Sequence, residues 1–241
     1  MNTNLYEKLN QIKPTGIQPK FKTVEELRAF QAQEQLKSSE LVNKNRSNHF
    51  LKKLMSESGI IEKMKTCSFD NYKITNEGQQ SALDIAKQYA LNYENEPDRG
   101  FIFFGNSGTG KNHLACAIAN HLIAIGKTVL IDKAFNIVSK INECYSDRST
   151  LSDTDLIRSF SKPDLLIIDE VGLQRKNNNE QLLLTSIIDN RINTFKATAI
   201  LTNEDPNSLE MFLGFRSIDR IHEGKPVVVN FNWGSFRRGS K

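Results

Sequence analysis

The sequence predicts an α/β protein with a parallel sheet and crossover helices, and three observations carry that prediction. Residues 101–112 read FIFFGNSGTGKN: an apolar run, then a glycine-rich turn, then a lysine that opens a helix. Residues 165–170 read LLIIDE, an apolar run of strand length ending in two carboxylates. Around these, short apolar runs alternate with stretches of helical length, the rhythm of strands joined by crossover helices.

Each element follows in order. Phe101 to Phe104 is expected as a strand, and His113 to Ile125 as a helix stopped by Gly126. Thr128 to Ile131 reads as a strand, Ala134 to Tyr145 as a helix, and Leu165 to Ile168 as a buried strand. Glu180 to Phe195 reads as a helix, Ala197 to Leu201 as a strand, and Pro226 to Phe231 as the last strand. Asn203, Asp205 and Pro206 resemble a loop entering a helix.

The loop defines a triphosphate site. Gly105, Gly108 and Gly110 allow backbone amides to turn inward around phosphate oxygens, and Lys111 reaches the terminal phosphates at the positive end of a helix dipole. A glycine turn that merely joins strand to helix is the bland alternative, but the lysine, the preceding strand and the following helix all agree with the ligand. Asn112 stands where a Ser or Thr hydroxyl would ligate Mg²⁺. Its amide oxygen is a weaker hard ligand, or holds a metal-bound water.

Asp169 and Glu170 are expected at the C-terminal tip of a buried parallel strand, where α/β sheets bind ligands. Asp169 then holds Mg²⁺, and Glu170 orients and deprotonates the water that attacks the γ phosphate. Thr202 and Asn203 end the next strand at the same level. Arg216, Arg220, Arg237 and Arg238 come late in the chain; an ATPase with sites between subunits draws a transition-state arginine from its neighbour. Arg220 is the choice for that finger, with Arg216 the alternative and Arg237 sensing the nucleotide.

GNSGTGKNHLA, LLIIDEVG, AILTN, GFRSIDRI and FNWGSF together resemble the bacterial and prophage DnaC-type helicase loaders, within the DnaC/IstB-like group of AAA+ ATPases. GKN in place of GK[ST] is itself shared with that family. The resemblance implies an AAA+ sheet with flanking helices, preceded by a small helical N-terminal domain. It makes Gly105, Asn106, Ser107, Gly108, Thr109, Gly110, Lys111, Asn112 and His113 the nucleotide-binding stretch. Asp169 and Glu170 correspond to Walker B, Asn203 to sensor I, Arg220 to the finger and Arg237 to sensor II. ATP and Mg²⁺ are the implied cofactors. The implied partners are a hexameric replicative helicase, gripped through residues 1–65, and single-stranded DNA bound by residues 66–241, with self-assembly on either.

Composition bounds the reading. At 241 residues and 38% apolar, the chain has the material for one α/β core and a small accessory domain. It contains neither a spanning apolar run nor a secretory signal, so a cytoplasmic protein is expected. Cys67, Cys116 and Cys144 lack CxxC spacing, which favours reduced, partly buried thiols over a zinc site or disulfides. Residues 1–65 carry twelve Lys and Arg against seven Asp and Glu, so the basic excess lies there.

In that segment Leu5 to Ile12 reads as a short helix, and Thr23 with Glu26 forms a capping box. Val24, Leu27 and Phe30, then Phe50, Leu51, Leu54 and Met55, give apolar faces, with Gly59 to Lys65 a linker. Ten residues after Phe231 are too few for a helical lid domain, so nucleotide affinity and turnover are expected to depend on neighbours. Lys133, Phe135, Lys140, Tyr145 and Arg148 combine cations with aromatics for single-stranded DNA, although packing is the commoner role for Phe135 and Tyr145. Phe69 and Tyr72 are candidates to stack on adenine. A small-molecule kinase would share the loop, but would want an acceptor pocket and an arginine-rich lid.

Overall fold

A computed structural model describes residues 25, 26, 28–35, 37, 65–146, 153–172 and 178–236. They fall into two units, described separately. In the first, residues 25, 26, 28–35 and 37 are helical and exposed except for half-buried Phe30. The expected helix at Leu5 to Ile12, the cap at Thr23, the apolar residues Val24, Leu27, Phe50, Leu51, Leu54 and Met55, and residues 59–64 of the linker lie outside the described residues.

The second unit holds the predicted sheet. Its strands, numbered from the core's first, are β1 (Phe101–Gly105), β2 (Val129–Lys133), β3 (Leu165–Asp169), β4 (Ala197–Thr202) and β5 (Val227–Phe231). They lie in the order β2-β3-β4-β1-β5, every pairing parallel. Phe101 pairs with Ala199 on one side and Val227 on the other, and Lys133 pairs with Asp169. Parallel strands end together, so Gly105, Asp169 and Thr202 reach the same rim.

Among its described residues the helices numbered here are α1 (Glu77–Asn92), α2 (Lys111–Ala124), α3 (Ala134–Ser146), α4 (Asp153–Ser161), α5 (Asn178–Asn193), α6 (Pro206–Leu213) and α7 (Phe215–Glu223). Alternate strand residues supply two cores, as a pleated sheet requires. Phe101, Phe103, Leu165, Ile167, Ala199 and Leu201 pack with Leu83 and Ala86 of α1 and Ile118 and Leu122 of α2. Ile102, Leu166, Ile168 and Ile200 pack with Ile137, Leu184, Ile187 and Leu209 from the helices of the other face.

Local signals explain several ends. Asn76 caps α1 by accepting from Gln79 N at 2.9 Å. Asp205 caps α6, accepting from Asn207 N and Ser208 N, with Pro206 in the first turn. Helix α2 begins at Lys111, two residues before the expected start, because the phosphate loop itself leads into its first turn. Strand β2 runs Val129–Lys133, two residues beyond its expected end, since Asp132 and Lys133 continue the ladder with β3. Helix α5 starts two residues early and ends at Asn193, as Phe195 turns left-handed at φ 53°. Among the described residues no helix is long and apolar enough to cross a membrane.

Candidate functional site

The loop between β1 and α2 is built by backbone close approach. Gly105 has φ 120°, and a Cβ there would lie 2.5 Å from the Phe231 carbonyl of β5. Gly110 has φ 102°, and a Cβ there would sit 2.7 Å from the Tyr72 ring. These two glycines let the chain turn tightly between the edge strand and a buried aromatic.

Lys111 is buried, and its ammonium donates to the carbonyls of Gly105 and Asn106 at 2.7 Å and to Asn203 Oδ1 at 2.9 Å. Burial lowers its pKa to about 8, with the Asp169 charge opposing. Asn203, at the end of β4, thus meets the loop lysine across the rim. Asn112 donates from Nδ2 to Asp169 Oδ2 at 2.6 Å, while Glu170 N donates to Asp169 Oδ1 at 2.8 Å. Burial raises the Asp169 carboxyl above its ordinary value, against the lowering effect of the Asn112 bond. Glu170 has φ 58°, which swings its side chain out of the strand direction toward Lys133, whose Nζ lies 2.9 Å away.

A cavity of about 410 Å³ opens over this rim, of the size that takes a small-molecule ligand. It is lined by Ser107, Gly108, Thr109, Gly110, Lys111, Asn112 and His113, by Asp169 and Glu170, by Thr202 and Asn203, and by Asn71, Tyr72, Lys73 and Phe236. The loop amides, the Lys111 ammonium and adjacent carboxylates suit a triphosphate; the Asp169 carboxylate and Asn112 amide oxygen are hard donors that fit Mg²⁺. Gly105 and Asn106 support the loop from behind, through their carbonyls to Lys111.

Other expected residues lie elsewhere. Arg220 is outside the cavity, donating to Asp189 Oδ1 at 2.9 Å and Asn193 Oδ1 at 2.6 Å on α5. Arg216 is exposed on α7. Arg237, Arg238 and Arg148 lie outside the described residues, as does the side chain of Tyr145. Phe69 lines a different cavity, with Cys67, Leu91 and His121, apart from the phosphate loop. Tyr72 does line the main cavity, with its ring tucked against Gly110 and 5.4 Å from the His113 ring. Lys140 is tied to buried Asp132 at 2.5 Å, so it is not the loose cation a DNA groove would use. Phe135 is 53% exposed, correcting the expectation that it packs inside.

Sequence reasoning did not attach Lys133 to Glu170, nor Trp233 and Phe236 to the loop. The chemistry of each residue was legible, but its neighbour depends on strand register or on a turn after β5.

Sheet order, glycine loop and paired acids define an AAA+ nucleotide-binding protein of the phosphate-loop class. Residues 23–212 match the model of the family described as IstB-like ATP binding protein, and the chain belongs to that family. It is 37% identical over 237 residues to the replicative helicase loader DnaC of Buchnera aphidicola subsp. Acyrthosiphon pisum, covering 98% of this chain and 96% of that one. It is also 37% identical over 235 residues to the DnaC loader of Escherichia coli K12, covering 97% and 95%. Among solved structures, a crystal structure of the DnaC helicase loader superposes with a TM-score of 0.61 at 23% identity, covering 69% of this chain and 98% of that one. The crystal structure of DnaI gives 0.56 at 20%, covering 72% and 92%. At these identities the two structures establish the shared fold.

Proposed function

We propose that this protein is an ATP-dependent loader that binds a hexameric replicative helicase and delivers it onto single-stranded DNA. The observation that carries the proposal is the full-length similarity to proteins named replicative helicase loader, which spans the N-terminal segment as well as the ATPase core. In this reading residues 1–65 grip the helicase and residues 66–241 form the ATPase.

The core's own residues supply the chemistry. Amides of the 107–111 stretch and the Lys111 ammonium hold the phosphates and stabilise charge that builds on them during transfer. Asn203, bonded to Lys111, fixes that ammonium and stands where the terminal phosphate or attacking water is positioned. Glu170 takes the proton from that water. Mg²⁺ would be held by Asp169 and Asn112 and would offset phosphate charge. Arg220 of a neighbouring copy serves as the finger; its position away from its own cavity supports action in trans. Arg237 senses the nucleotide. Hydrolysis is slow in the isolated chain and rises with assembly, DNA or helicase.

Co-elution of the chain with a hexameric replicative helicase, with and without residues 1–65, tests the reading. A complex that needs those residues is the expected result. No complex from the folded, ATP-supplied full chain would redirect the assignment to a DNA-bound ATPase serving another machine, such as a transposase.

A further inference from the structure

The end of β5 and the segment after it make a series of bonds to the phosphate loop that the nucleotide chemistry above does not require. Asn106 N donates to the Phe231 carbonyl at 3.0 Å, and Asn106 Nδ2 to the Trp233 carbonyl at 3.3 Å. Trp233 Nε1 donates to the Thr109 carbonyl at 2.9 Å, and Phe236 N to the Gly108 carbonyl at 2.9 Å. The half-buried Trp233 indole is seated on Phe231, with ring centroids 4.9 Å apart, so its N–H is aimed by packing.

The geometry of the peptide bond turns these contacts into a function. A trans peptide is planar, and its C=O and the following N–H point in opposite directions. Drawing the Gly108 and Thr109 carbonyls to the 233–236 segment therefore turns the Thr109 and Gly110 N–H groups away from that segment. Both residues line the cavity that Lys111 enters. Amides preset in this way bind phosphate without first paying for reorientation.

We infer that residues 231–236 are a strap that presets the phosphate loop, with the Trp233 N–H as a positioning group for the Thr109–Gly110 peptide. This rests on the nucleotide-binding reading of the same cavity. Tyr72 Oη also donates to the Thr109 carbonyl, at 3.4 Å, so the strap shares that oxygen with a longer and weaker bond. Phe236 itself lines the cavity, so the strap also forms part of its wall.

The test uses the full chain with Trp233→Phe and, separately, with benzothienylalanine at position 233, which keeps the fused-ring shape but carries sulfur in place of N–H. The readouts are affinity for a fluorescent ATP analogue and melting temperature without nucleotide. Loss of one hydrogen bond should weaken analogue binding about threefold to tenfold, while the benzothienyl chain melts within a degree or two of wild type. Restoring the donor with 7-azatryptophan should return the affinity. Wild-type affinity in a folded benzothienyl chain would overturn the strap. A wild-type chain that binds no analogue at all would instead overturn the nucleotide-binding reading and the strap with it. If Trp233→Phe fails to fold, the benzothienyl chain decides. Trp233 is the only tryptophan in the 241 residues, so its emission should also shift when the analogue binds the wild type.

Discussion

Lys133 Nζ stands 2.9 Å from Glu170 Oε1, an ion pair joining the tips of β2 and β3. Each side chain is more than a third exposed, so the pair adds little stability. In the proposed mechanism it occupies the carboxylate that activates water. Lys133→Ala should raise basal phosphate release severalfold with no more than a small change in melting temperature. Glu170→Gln should lower release by about 10²-fold or more while analogue binding persists. Steady-state phosphate release checks both, and unchanged turnover in Glu170→Gln would remove Glu170 from the chemistry.

The Asn112–Asp169 bond leads to a prediction in which stability and activity move apart. Burial raises the Asp169 carboxyl, so its ionised form is disfavoured in the fold, and the associated stability is lost as pH rises through the folded pKa. Asp169→Asn should therefore melt higher at neutral pH, with Asn112 turning its amide to offer oxygen to the new side chain. The same variant should lose the Mg²⁺ dependence of ATP binding. Thermal melts and Mg²⁺ titrations measure the two effects.

Lys111, lowered to about 8 by burial, should make nucleotide affinity sensitive to mild alkali. As pH rises through that value in the ligand-free protein, the ammonium is lost and analogue affinity should fall. Stability should move the other way: an unfolded lysine holds its proton to a higher pH, so the fold gains stability as pH rises above about 8. Binding and melting curves from pH 7 to pH 10 would show the opposing trends, and Lys111→Met should flatten both.

Arg191 is fully buried and donates to the carbonyls of Phe160, Pro163, Asp164 and Ala197 and to Thr198 Oγ1. It ties the end of α5 to the loop before β3 and the start of β4. Burial holds its pKa down to about 10, and it carries its charge at neutral pH. Arg191→Leu removes five donated bonds from a buried site and should cost about 3 kcal/mol or more. Lys cannot reproduce the planar fork and should recover little. Urea denaturation gives the value.

Cys67 and Cys116, 49 positions apart in sequence, have their side chains in hydrogen-bond contact. Asn120, one turn beyond Cys116 on α2, donates to the Cys67 carbonyl at 2.7 Å and holds that approach. Burial pushes both thiols up, Cys116 to about 12, so alkylation at pH 7.5 should be slow at both and should accelerate with pH. Peptide mapping after iodoacetamide treatment separates them from Cys144.

Much of the core was readable from local pattern. The fully buried runs of β3 and β4 carry continuous apolar sequence, and the loop glycines mark themselves by spacing. Helix α1 is absent from the strand and helix rhythm read above, although Asn76 followed by Leu83, Ala86, Tyr89 and Ala90 carried both a cap and a helical period. Helices α4 and α7 span only nine residues each, too short for a decisive period. Phe135 misled because hydrophobicity reports a tendency to be buried, not which side of a helix faces the sheet.

The sequence alone determined the chemistry along the chain: a loop able to turn its amides inward, a lysine behind it, and two acids ending a buried strand. These properties reside in backbone freedom, charge and apolar period over a few neighbouring residues. Only the tertiary structure decided that Lys133 meets Glu170, that Arg191 ties the base of the sheet, and that Trp233 donates to the Thr109 carbonyl of the loop. Those pairs join residues from 6 to 124 positions apart. Strand order, register and side-chain packing fix them, and none of these leaves a period in the sequence.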